Sequence, residues 1–189
     1  MKRKIKIGLL LLQTSLLASC VAAVVAGAAS SLVVYDKRTI ATVEKDARIF
    51  HVLRSTLVPD PRFRDSRLIV SSFNQVVLLA GQTPDASLRQ VAQRIAQQTP
   101  NVSRVYNEIT IDYPLSLTQQ SKDTWITTQV RSKMLGEKGL ESGSLRVITE
   151  NSVVYLMGIV TPEQANLAVN VTRHVKGVRK VVKVFQYIR

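Results

Sequence analysis

Taken as a string of apolar and polar positions, the chain says the same thing twice. The stretch "NQVVLLAG" at residues 74–81 returns as "NSVVYLMG" at residues 151–158, a constant offset of 77. The same offset pairs Asp46 with Asp123, Ile49 with Ile126, Arg54 with Arg131, Ser55 with Ser132 and Leu68 with Leu145. A Thr-Pro follows each glycine, and "NVSRVYNEI" from Asn101 answers "GVRKVVKVF" from Gly177 at an offset of 76. Repetition on this scale means one supersecondary unit used twice, here at residues 46–113 and 122–189.

Within each copy the periodicity predicts helix, strand, strand, helix, strand. Ile49, Leu53 and Leu57 recur at helical spacing, as do Ile126, Val130 and Met134. "RLIVSSFNQVVLLAG" and "LRVITENSVVYLMG" predict hairpins that turn at Phe73-Asn74 and Glu150-Asn151. Helices are expected over residues 85–98 and 162–175, the second with Pro162 in its permissive first turn. Closing strands are expected over residues 103–111 and 178–187. The fold class is therefore α+β, with two domains of about 70 residues, each near the lower size limit for a single core. Residues 114–121 form a polar connector so short that the two units are expected to touch.

The pattern on one helix is unusual. At about 100° per residue, with Asp123 at 0°, Ile126, Val130 and Met134 cluster near 340°. Trp125, Thr128, Ser132 and Leu135 all fall about 140° or more from that stripe, with Arg131 and Lys133 on the flanks. The chain's single tryptophan thus stands on the face opposite the core. The first copy has Arg48, His51, Ser55 and Val58 at the matching positions, so the core stripe is shared and the outward Trp–Leu pair is not. A tryptophan favours a membrane interface, where its ring is buried and its N–H stays wet. The alternative is that Trp125 packs against the first domain.

The N-terminus supplies a compartment. Lys2, Arg3, Lys4 and Lys6 precede an apolar run over residues 7–17. That run is shorter than the ~20 residues a bilayer span requires, so residues 1–19 read as a secretory signal. The signal closes on "LASC", and Cys20 is the only cysteine, so the exported chain has no internal disulfide. "LASC" resembles the bacterial lipobox, in which the cysteine is diacylated on sulfur, becomes the new N-terminus and is acylated again. The alternative is a signal peptide with an unrelated cysteine. Several acyl chains anchor stably where one is marginal. Val21 rather than an aspartate follows the cysteine, which by the same resemblance addresses the outer membrane, facing the periplasm. Residues 20–45 then form a lipidated N-terminus and flexible tether, reaching roughly 90 Å at full extension.

Charge narrows the partner. The chain has 26 Lys and Arg against 13 Asp and Glu, and the signal contains four of the basic residues and none of the acidic ones, leaving a net +9. The second copy has 11 basic and 5 acidic residues, the first 8 and 6. A basic exported surface points to anionic lipid headgroups rather than to nucleic acid, which a periplasmic chain rarely meets. The densest cluster, "RHVKGVRKVVK" at residues 173–183, reads either as a solvated edge or as a headgroup contact. His51 and His174 have neither a nucleophile nor a ligand spacing beside them, and the glycines are in no phosphate loop. The expectation is a binding protein without cofactor or metal.

The helix–strand–strand–helix–strand order, with a glycine ending the second strand, resembles the BON domain. The lipobox, two such copies and the "DTWITT" opening of the second copy together resemble the dual BON-domain outer-membrane lipoproteins of proteobacteria, over nearly the whole chain. The resemblance implies a small mixed sheet backed by two helices in each domain. It implies support of outer-membrane integrity, with enrichment at the division site. It also implies that the first helix of the second domain binds anionic, phosphatidylglycerol-like phospholipid, which carries the role onto Trp125, Thr128, Arg131, Ser132, Lys133 and Leu135. The competing expectation is an interaction scaffold that contacts envelope machinery such as the outer-membrane β-barrel assembly complex.

Overall fold

The computed structural model describes residues 38–188. The signal peptide, Cys20 and the tether as far as residue 37 lie outside the described residues. Lys37–Arg189 form one compact unit that holds both copies of the repeat.

The first copy opens with α1 (Ile40–Leu57), which buries Ile49, Leu53 and Leu57. The hairpin β1 (Arg67–Phe73) and β2 (Val76–Thr83) follows, then α2 (Ala86–Gln98), and β3 (Arg104–Ile111) returns parallel to β2. The second copy repeats this with α3 (Leu117–Gly136), β4 (Leu145–Glu150), β5 (Val153–Val160), α4 (Pro162–Arg173) and β6 (Lys180–Tyr187). Each sheet is mixed and three-stranded, in the order β1-β2-β3 or β4-β5-β6. One face of each sheet packs on its own two helices: Val77, Leu79 and Ile109 meet Leu53, Ala92 and Ala96, and Val154, Leu156 and Phe185 meet Val130, Ala165 and Ala168. The fold is α+β, as the periodicity predicts.

Three details differ from the sequence reading. Residues 40–45 and 117–121 are helical rather than tether and connector, which leaves only residues 114–116 between the domains. Each of these helices begins at a hydroxyl cap: Thr39 accepts the N–H of Thr42 and Ser116 that of Gln119. Nothing between either cap and the apolar stripe breaks a helix. The hairpins turn at Asn74-Gln75 and Asn151-Ser152, one residue later than expected, with φ of 49°, 63°, 50° and 61°. Two consecutive left-handed residues make the turn whose twist suits a two-residue hairpin. A buried carboxylate from the preceding helix holds it: Asp46 accepts the N–H groups of Asn74 and Gln75, both at 2.7 Å. Asp123 does the same for Asn151 and Ser152. The glycines lie inside the second strands rather than at their ends, because β2 and β5 run on to complete their pairing with β3 and β6. A Cβ on Gly81, at φ +113°, would stand 1.9 Å from the Arg67 carbonyl oxygen.

The central strands explain how the domains meet. β2 is buried along its entire length, so both faces of its sheet are covered. Val76, Leu78 and Ala80 point away from their helices and join Phe73, Tyr155, Met157 and Val184 in a single cluster shared by the two sheets. Polar contacts ring it. Glu150, 2% exposed, accepts Arg67 Nε at 3.1 Å and Gln82 Nε2 at 3.0 Å across the seam. Arg146 donates to the carbonyl of Ser72 at 2.8 Å, and Asn74 bonds Gln186. Burial, reinforced by Glu108 and Glu150, pushes the Tyr155 hydroxyl up to about 12. The tandem is thus one body built sheet to sheet.

Candidate functional site

Because the sheets are covered on both faces, the outer surfaces of the helices are what the molecule presents. α3 is the distinctive one. Its inner stripe, Ile126, Val130 and Met134, is no more than 2% exposed. Its outer face carries Leu117, Trp125 and Leu135 at 80%, 49% and 76% exposure. Leu117 and Leu135 are five helical turns apart, about 27 Å, on one line. Three of the hydroxyl side chains between them already have partners: Ser121, Thr124 and Thr128 each donate to the carbonyl one turn back, at 2.9–3.0 Å. Bonded hydroxyls lose less on leaving water than free ones, so this face is cheaper to dehydrate than its composition suggests.

All six residues singled out by the sequence, Trp125, Thr128, Arg131, Ser132, Lys133 and Leu135, are exposed on α3. Trp125 is not part of the cluster shared by the domains. Arg131 is engaged: its Nη2 donates to the Val147 carbonyl at 3.0 Å, which fixes the guanidinium against β4. Lys122 and Lys133 stand on the opposite flank, exposed. Sequence reasoning missed Leu117, Ser121 and Thr124 because it began the helix too late. The signal was available, since Ser116 followed three residues later by Gln119 is a helix-start pattern.

The first copy again serves as the control. Ile40 and Val58, equivalent to Leu117 and Leu135, are also exposed. Where α3 has Ser121 and Trp125, however, α1 has Glu44 and Arg48, ion-paired at 2.8 Å and open to water. Taking such a pair into an apolar layer is expensive, whereas the α3 face holds no charge to bury.

A cleft of about 420 Å³ lies beside the first turns of α3, lined by Arg67, Gln120, Thr124, Thr149 and Glu150. Arg67 and Glu150 already bond each other within it. Among the described residues no group of three or more His, Cys, Asp or Glu is arranged to hold a metal ion, and no helix is long and apolar enough to cross a membrane.

Comparison with known proteins places this architecture. The BON domain matches twice, at residues 45–113 and 122–189. The chain belongs to the BON-domain family and is one of its dual-domain outer-membrane lipoproteins. It is 38% identical over 185 residues to the outer membrane lipoprotein DolP of Haemophilus influenzae, covering 97% of this chain and 96% of that one. It is also 36% identical over 155 residues to a 21 kDa hemolysin of Actinobacillus pleuropneumoniae, covering 82% and 80%. The C-terminal domain of CdsD, a structural protein of the type III secretion system of Chlamydia trachomatis, aligns with a TM-score of 0.32 and 11% identity over 80% of this chain.

Proposed function

We propose that this protein is anchored through an acylated Cys20 in the outer membrane, facing the periplasm, and binds anionic phospholipid through the outer face of α3. There it supports envelope integrity, with division sites as the place of action. The observation that carries the reading is Trp125, 49% exposed on an uncharged face whose counterpart in the first domain holds the Glu44–Arg48 pair. The ring and the two leucines enter the interfacial layer, while Lys122 and Lys133 beside them each add roughly 1 kcal/mol against an anionic surface.

The test is vesicle binding by residues 37–189, the compact unit. Trp125→Glu or Leu135→Glu should abolish binding to phosphatidylglycerol vesicles with the fold retained, since surface changes usually cost within about 0.5 kcal/mol. Arg48→Glu and Val58→Glu in the first domain should leave binding nearly unchanged. An exposed Trp–Leu pair is also the chemistry of a protein hot spot, which supports a contact with the β-barrel assembly machinery as the second reading. Equal binding to zwitterionic and anionic vesicles at every salt concentration would favour that reading.

A further inference from the structure

The basic cluster at residues 173–183 is left unused by a site confined to α3. Its position beside that helix gives it a role. The segment leaves α4 at Arg173 and turns through Gly177, where a Cβ would come within 3.2 Å of the Ile126 side chain. Ile126 lies one helical turn from Lys122, on the same side of α3, and Lys122 in turn is three residues from Trp125, its neighbour toward the outer face. Arg179 donates to the carbonyl of Asn151, whose N–H is held by Asp123, so the segment is tied to this part of α3 a second time. Lys122, Arg173 and Lys176 are exposed, and none pairs with a carboxylate among the described residues.

We infer that Arg173 and Lys176, with Lys122, form a headgroup-phosphate site on the α4 side of Trp125, so that the second domain docks on an anionic bilayer through a helix face and an adjoining loop. The inference rests on the membrane reading of α3 and adds its partner chemistry: phosphate oxygens held by unpaired cations at the rim of an inserted indole. The opposite flank is unlike it, since Arg131 is bonded to β4 and the neighbouring cleft contains the carboxylates Asp123 and Glu150. Docking is therefore tilted toward the loop. The occupant is the bilayer rather than a soluble anion, because the cations border an apolar face that only a membrane or a protein would cover.

Arg173→Gln together with Lys176→Gln, in residues 37–189, tests this. Binding to phosphatidylglycerol vesicles near 0.1 M salt should weaken roughly 25-fold, about fivefold for each cation removed, and the salt dependence should flatten. At saturating vesicle concentration the Trp125 emission should shift as far as in the unmodified protein, because the helix face is intact. Arg94→Gln with Arg104→Gln removes the same charge from the first domain and should change affinity no more than about twofold. The inference is overturned if the loop variant binds within twofold of the parent, which would make these cations complements to the C-terminal end of α4 and no more. It is equally overturned if the first-domain pair weakens binding as much, since net charge would then explain the effect. Failure of Trp125→Glu to reduce binding, with the loop variant still weak, would sink the helix reading and leave the phosphate site.

Discussion

The Oδ2 of Asp123 accepts the backbone N–H of Asn151 at 2.7 Å, joining α3 to the tip of the hairpin 28 residues later. Its other oxygen takes the N–H of Ser152 at 2.8 Å and the amide of Gln119 at 3.0 Å. Asp46 makes the same bonds to Asn74 and Gln75. The helix that presents Trp125 is thereby oriented by a carboxylate that is 3% exposed. Asp123→Ala leaves two turn amides without an acceptor, at about 1–3 kcal/mol each, so a loss near 3 kcal/mol is expected in urea unfolding. Asp123→Asn keeps one acceptor oxygen and should lose less.

Glu150 should report on the seam between the domains. Removing it in Glu150→Ala leaves Gln82 and the partly exposed Arg67 without their shared acceptor, for an expected loss of about 2 kcal/mol. The unmodified protein should unfold in one transition, with Trp125 fluorescence, which sees only the second domain, coinciding with circular dichroism, which sees both. Separate transitions would mean that the shared cluster does not couple the domains.

Tyr155 gives the seam a pH dependence. Its hydroxyl titrates at about 12 in the fold, against roughly 10 in an unfolded chain. The unfolded state therefore gives up its proton first. The stability contributed by neutral Tyr155 is whole below pH ~10 and is lost as the pH rises through about 12. Thermal midpoints across this window should fall more steeply for the unmodified protein than for Tyr155→Phe.

Gly81 tests the close approach of β1 to β2. A methyl group there would meet the Arg67 carbonyl at 1.9 Å, at a φ of +113°. Gly81→Ala should cost more than about 3 kcal/mol, well beyond an ordinary surface change, with the loss read from denaturant midpoints of soluble protein.

The core was legible because its signals are periodic. The stripe Ile126–Val130–Met134, the hairpins and the doubling at a fixed offset all follow from spacing alone. The seam was harder to read. "VVLLAG" is apolar without alternation, which is the mark of a strand covered on both faces, yet nothing local says that the second cover is the sister sheet. The pairing of Asp46 with Asp123 was visible, but its meaning depends on a hairpin tip 28 residues away. The outward position of Trp125 could be read from angle alone. The bond from Arg131 to β4 and the approach of Gly177 to Ile126 depend on tertiary packing and could not.

The most direct measurement uses the sole tryptophan as its own probe. On titrating residues 37–189 with phosphatidylglycerol vesicles, Trp125 emission should move to the blue and become quenchable by lipids brominated near the interface, because the ring leaves water for the headgroup boundary. Added salt should weaken the titration, since exposed charges are screened within ~8–10 Å at 0.1–0.15 M. A protein that co-sediments with the vesicles while its emission stays where it was in buffer would contradict the account, because the membrane would then be held by a surface other than the outer face of α3.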